Sequence, residues 1–206
     1  MSADVESPRP VDHSSDTATP VPAPERHPGR GRSSVTPKRA PVTPKDVGVL
    51  IGFLVIAFAV AALGTLSTIH NVDGWYAHAF KAAWNVPNWL FAPVWVVLYA
   101  LMAIGAWMIW RRRIGVKPVT VALSLYIVQL ILNSLWTPVF FGAYPGWGPA
   151  ALWIAFAIIV LLDIAVAATI ASFLPLSRVA GWMLVPYLLW ILFASTLNWA
   201  LAALNS

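Results

Sequence analysis

Five apolar stretches dominate this 206-residue chain, at approximately Val47 to Ile69, Trp89 to Trp110, Pro118 to Phe141, Pro149 to Phe173 and Val179 to Leu204. Each has about the 20 residues that an α-helix needs to cross a hydrocarbon core about 30 Å thick. Lipid offers no partner to a free backbone N–H or C=O, so stretches of this length and composition must be helices. The expected fold class is therefore all-α, an integral, multi-pass membrane protein built as a five-transmembrane-helix bundle over residues 46–206. Composition agrees, since 59% of the residues are hydrophobic and only 10% charged, outside the range of ordinary soluble domains.

Residues 1–45 read differently. They are rich in Pro, Ser, Thr and Arg and nearly devoid of large apolar side chains, so they cannot bury enough surface to offset the entropy of ordering, and a disordered N-terminal leader is expected. Asp4 and Glu6 stand where a signal peptide would carry basic residues, and no apolar core follows them in the usual window. The net charge of +5 does not point to nucleic acid, because the basic residues are not interleaved with aromatics on one surface. They mark topology instead. Lys38, Arg39 and Lys45 precede the first span, Arg111, Arg112, Arg113 and Lys117 lie between spans two and three, and Arg178 lies between spans four and five. Cytoplasmic connections hold the Lys and Arg excess, which predicts a cytoplasmic N-terminus and an outside C-terminus; the expected location is a bacterial cell membrane. Trp75, Tyr76, Trp84 and Trp89 then form an outer aromatic belt, with Trp107 and Trp110 at the inner face.

Absent residue types narrow the chemistry. There is no Cys, His13 and His27 fall in the leader, and His70 and His78 share one connection, so no apolar span carries a thiolate or an imidazole and no metal site is expected. No nucleophile and base pair of a conventional active site appears either.

Three spans carry periodic faces. Phe91, Trp95 and Tyr99 recur every fourth residue in span two, with Met102 near the same line. Tyr126, Gln129, Asn133, Thr137 and Phe140 follow at spacings of three or four in span three, and Pro186, Trp190, Ala194 and Asn198 at spacings of four in span five. Faces of this kind, brought together, make an apolar slot with a few amides and hydroxyls, which is the general recipe for a small-molecule pocket. They also suit plain helix packing, in which aromatic pairs gain about 0.5–1.5 kcal/mol and interhelical amide bonds about 0.6 kcal/mol. Pro138 and Pro186 favour kinks inside spans three and five. Asp163 is the only formal charge deep in a span, at a cost of about 2.5–3.5 kcal/mol near the bilayer centre. It suits a proton or ion relay, or a close helix contact along the small-residue line Ala151, Ala155, Ala167 and Ala171. Gly48 and Gly52 are a small-xxx-small pair that can bring the first span against a neighbour.

The segments "WNVPNWLFAPVWVVLYALM", "LYIVQLILNSLWTPVFFG" and "LVPYLLWILFASTLNWALAALN" resemble the signature segments of the tryptophan-rich sensory protein family, also called the translocator protein or peripheral benzodiazepine receptor family. The resemblance covers about Val47 to Asn205. It implies a five-helix bundle, commonly a homodimer, that binds porphyrins and haem, with sterols and benzodiazepine-type ligands in some members. Trp95, Trp190, Asn133, Phe140 and Ala194 match positions of the family's ligand pocket, and Trp84 matches an aromatic of the first loop, which covers it. With Phe91 and Tyr99 these form the expected ligand-binding set. A tetrapyrrole, protoporphyrin or haem, is the expected ligand rather than a required cofactor, seated between Trp95 and Trp190 with its edge toward Asn133 and loop residues such as His78 or Lys81. The family's link to light- and oxygen-dependent porphyrin breakdown implies that Trp95 and Trp190 would be the oxidisable partners in any such reaction. Two departures stand out. Ala82, Ala83 and Val86 occupy positions where some members have Pro, Trp and Pro, and "LNWALAALNS" lacks the Tyr and basic residue of the sterol-recognition pattern, so cholesterol binding through that pattern is not expected.

Overall fold

The computed structural model describes residues 41–112 and 116–206, and the leader expected over residues 1–45 lies almost wholly outside the described residues. Five helices in it are long and apolar enough to cross a membrane. The first, α1 (Pro44–Thr68), starts where the sequence supplies a capping box. Thr43 Oγ1 accepts from the Asp46 N–H at 3.3 Å, the Asp46 carboxylate accepts the Thr43 N–H at 2.9 Å, and Pro44 at the first helical position has no N–H to leave unpaired. A connection containing the one-turn α2 (Trp75–His78) leads to α3 (Asn88–Trp110), whose entry is set by Pro87.

Next comes α4 (Val116–Thr137), which ends in a π-helical turn, Pro138–Gly142. Pro138 cannot donate, so the regular ladder is broken, and the Ala143 N–H instead reaches back five residues to the Pro138 carbonyl at 3.0 Å. Span three is expected to run to about Phe141 with a kink favoured at Pro138, and the irregularity at that proline takes the form of this wider turn. A short α5 (Tyr144–Trp147) and Gly148, whose φ of 57° favours glycine, turn the chain into α6 (Pro149–Leu176). Ser177 alone separates α6 from α7 (Arg178–Leu204) and caps it, with its hydroxyl accepting from the Ala180 N–H at 3.4 Å.

The helices close into a ring in which α1 packs on α3, α3 on α7, α7 on α6, α6 on α4 and α4 on α1. Small residues let the backbones approach. A Cβ on Gly181 would meet Leu174 at 2.7 Å, and one on Gly105 would meet Leu184 at 2.9 Å, which keeps the α6–α7 and α3–α7 contacts tight. Side chains such as Met102, Leu152, Ile159, Leu184 and Ile191 fill the interior, while Ile51, Val55, Leu63, Leu161, Ile164 and Leu189 face outward as a lipid-contacting surface requires.

One end of the bundle gathers Asp46, Arg111 and Arg112. Arg111 lies 3.8 Å from the Asp46 carboxylate and 5.0 Å over the Trp107 ring, and Trp107 Nε1 donates to the Asp46 carbonyl at 2.7 Å. Arg112 reaches Ser177 Oγ at 3.2 Å, so the basic end of α3 is tied both to the start of α1 and to the α6–α7 turn.

Candidate ligand-binding site

A cavity of about 340 Å³ opens in the half of the bundle away from those charges, bounded by α1, α3, α4 with its π-turn, and α7. Its walls are the periodic faces read from the sequence. Phe91, Trp95 and Tyr99 line it from α3, Asn133 and Phe140 from α4 and the π-turn, and Trp190 and Ala194 from α7, so seven of the eight expected residues are brought together. Phe91 meets Trp190 edge-on at 5.6 Å between ring centres, and Trp95 lies 5.5 Å from Tyr99. Phe140 stacks on Trp136 at 5.1 Å, an arrangement in which the π-turn holds the Phe140 ring over the cavity side of α4.

Trp84 is not among them. It sits on the opposite face of α7, where its Nε1 donates to Thr196 Oγ1 at 3.3 Å beside Phe156, Val160, Leu192, Ser195 and Trp199. The cause is the course of the connection. The Asn205 side chain accepts from the Phe80 N–H at 3.1 Å and donates to the Phe80 carbonyl at 2.9 Å, so the chain is carried across the end of α7 and Trp84 lands beyond it. The part that does cover the cavity is earlier, at Val72 and Tyr76. Trp75 stacks on Tyr144 at 3.9 Å and donates to the Phe141 carbonyl at 2.9 Å, holding Tyr76 against Phe141. Burial pushes the Tyr76 phenol pKa up, with the hydrogen bond to Asn85 opposing, and Lys81 lies 4.7 Å over its ring. His78 and Lys81 do not line the cavity.

The polar groups of the wall are mostly committed to one another. Tyr99 donates to Asn133 Oδ1 at 2.6 Å, and Asn133 Nδ2 donates to the Tyr187 hydroxyl at 2.7 Å. Trp136 Nε1 donates to Asn198 Oδ1, and Asn198 Nδ2 to the Leu152 carbonyl, each at 3.0 Å. Asn133 thus shapes the wall by fixing two tyrosines, where the sequence reading had it facing a ligand edge. Trp190 Nε1, by contrast, is buried without a hydrogen-bond partner among the described residues. Among the described residues no His, Cys or Met lines the cavity, and no cluster of His, Cys, Asp or Glu could hold a metal ion. Asp163, on α6, lies outside the cavity lining altogether.

Sequence reasoning missed the contribution of the first span. Ala61, Gly64, Thr65 and Thr68 form the α1 wall, and Thr65, like Ala92 and Val96 of α3, is exposed as well as lining, so the cavity opens sideways between α1 and α3. The signal was a small-residue face at helical spacing in an otherwise evenly apolar helix. Trp136 and Tyr187 were missed too, although each lies three residues from a named position.

The sequence profile of the TspO/MBR family matches residues 53–204, which spans every wall of this cavity. The chain belongs to the TspO/MBR family. Among relatives, it is 40% identical over 146 residues to the translocator protein of Sus scrofa, covering 68% of this chain and 82% of that protein. It is 38% identical over 162 residues to the tryptophan-rich protein TspO of Archaeoglobus fulgidus, covering 79% and 97%, and 36% identical over 153 residues to the tryptophan-rich sensory protein of Cereibacter sphaeroides, covering 74% and 90%. As a TspO/MBR protein with five helices able to span a bilayer, it is an integral, multi-pass membrane protein.

Proposed function

We propose that this protein is a membrane receptor or sensor for tetrapyrroles, taking protoporphyrin or haem edge-on into the aromatic cavity. The observation that carries the reading is the pair of indoles, Trp95 on α3 and Trp190 on α7, that line one chamber whose remaining polar groups are largely satisfied. A flat, apolar ring system is the ligand shape such walls favour. Stacking and burial supply the energy. A ligand of about 40 heavy atoms at about 0.3 kcal/mol per atom has a nanomolar ceiling, and a laterally open cavity falls short of it, so micromolar binding is expected.

Among the described residues the lining offers iron no His, Cys or Met, and the Tyr99 hydroxyl is bonded to Asn133, so metal-free protoporphyrin should bind about as well as haem. The test is quenching of tryptophan fluorescence by protoporphyrin in detergent for the parent, Trp95→Phe and Trp190→Phe, against a porphyrin-and-detergent blank. Saturable quenching that weakens about tenfold in both variants is the expected result, and linear partitioning equal in all three would remove the reading.

A second reading, light- and oxygen-dependent breakdown of the bound macrocycle, is favoured by one detail: Trp95 has two phenols close by, Tyr99 at 5.5 Å and Tyr187 at 6.1 Å. Illumination of the saturated complex with and without Trp95→Phe separates turnover from bleaching. In either reading the charged end, with Arg111 and Arg112, faces the cytoplasm. The outward face of α1, where Gly48 and Gly52 have open space beside them, is the proposed homodimer contact.

A further inference from the structure

Asp163 stands apart from the cavity, half-buried near the middle of α6, with the exposed side chains Val160 and Ile164 beside it. Its Oδ2 lies 2.8 Å from Ser195 Oγ on α7, and Ser195 Oγ also lies 2.9 Å from the Ile191 carbonyl. A hydroxyl has a single proton. Were Asp163 a carboxylate, both neighbours of Ser195 would be acceptors competing for it. With the carboxyl protonated, its O–H donates to Ser195 Oγ, Ser195 donates to the Ile191 carbonyl, and both short contacts become full hydrogen bonds.

A second observation agrees. Among the described residues Asp163 Oδ1 is buried with no hydrogen-bond partner, which is far more costly for an oxygen sharing a full charge than for the carbonyl oxygen of a neutral acid.

Among the described residues, the elements around Asp163 supply no counter-charge beside it; the connection that brings Trp84 to this groove carries Lys81, which lies over the Tyr76 ring. The helices packed on α6 bring Lys117 and Tyr126 from α4 and Arg178 and Tyr187 from α7; α5 brings Tyr144, and the π-turn brings no titratable side chain. Arg178 opens α7, roughly 25 Å along the axis from Ser195 at about 1.5 Å per residue, and Lys117 lies in the first turn of α4. Tyr187 supplies no cation, and its hydroxyl is already bonded to Asn133.

We infer that Asp163 is a one-proton binding site at the lipid-facing seam of α6 and α7, held as a neutral carboxylic acid that donates to Ser195. Losing that proton to water leaves a carboxylate that must take the Ser195 hydroxyl away from Ile191, so protonation and the local backbone bond of α7 are exchanged for each other. Ser195 follows Ala194 directly, and while Ala194 lines the cavity, Ser195 lines the outer groove with Leu192, Thr196 and Trp199. The site therefore acts on the same helix as the ligand wall, from its other face.

Infrared spectroscopy of the full chain in lipid at neutral pH tests this. The parent should show the carbonyl stretch of a protonated carboxylic acid, shifted by deuterium exchange, which Asp163→Asn lacks and Ser195→Ala retains at a changed frequency. Should Asp163→Asn fail to fold, aspartate carrying ¹³C at the side-chain carbon gives the reading in the parent itself, as an isotope shift of the same band. A parent without an isotope-sensitive acid band, or one whose spectrum differs from Asp163→Asn only in the carboxylate region, overturns the inference.

Discussion

Asn133 and Trp190 line the same cavity and have opposite positions in its hydrogen bonding. Asn133 satisfies two buried phenols, so Asn133→Leu strands Tyr99 and Tyr187 together and should lower stability by about 1–3 kcal/mol, read as a drop in the thermal midpoint in detergent. Trp190 Nε1 has no hydrogen-bond partner to lose among the described residues. Trp190→Phe should therefore cost ligand affinity while moving the thermal midpoint much less than Asn133→Leu does, and an equal loss of stability in both would place Trp190 in the packing rather than in the site. The residue types of this cluster were legible as stripes, because spacing fixes which side chains share a helical face. That the Asn133 amide is spoken for was not, since its partners come from α3 and α7 and depend on how each helix is rotated in the bundle.

Among the elements, the spans were readable to within a few residues at each end, because length and apolarity are dictated by the bilayer. The departures come from local backbone chemistry. Pro138 turns the end of span three into a π-turn that brings Phe140 onto Trp136, and replacing Pro138 by Ala restores a donor that allows the regular ladder to continue. Protoporphyrin affinity should then fall several-fold by the same quenching assay. The α6–α7 hairpin is less forgiving. Gly181→Ala places a carbon 2.7 Å from the Leu174 side chain and 3.2 Å from its backbone nitrogen, so a cost of about 1–3 kcal/mol is expected, again as a lowered thermal midpoint. The α1 wall escaped the sequence reading for the opposite reason: no Trp, Tyr or amide marks a face of this helix, and the inner one is set only by the small residues Ala61, Gly64, Thr65 and Thr68. Trp84 falls outside the cavity lining because a connection's path depends on where it is tethered, and the tether of Phe80, Asn205, lies 125 positions away in the chain.

At the scale of the whole molecule, that tether makes the connection between α1 and α3 a strap fastened at Trp75 and at Phe80, with the cavity cover, Val72 and Tyr76, on either side of the first fastening. Asn205→Ala should release one fastening and speed both association and dissociation of protoporphyrin in stopped-flow fluorescence, with a smaller change in the ratio of the two rates. The ring of helices is also unevenly closed. Trp107 and Asp46 pin α1 to α3 at the charged end, whereas Thr65, Ala92 and Val96 are exposed where the same two helices border the cavity. A hydrophobic guest arriving through that gap comes from the acyl chains and never has to be solvated by water on the way. Its effective concentration is then a mole fraction in the membrane, so apparent dissociation constants expressed per volume of buffer should rise in proportion as lipid is added at constant protein, while those expressed per lipid stay fixed.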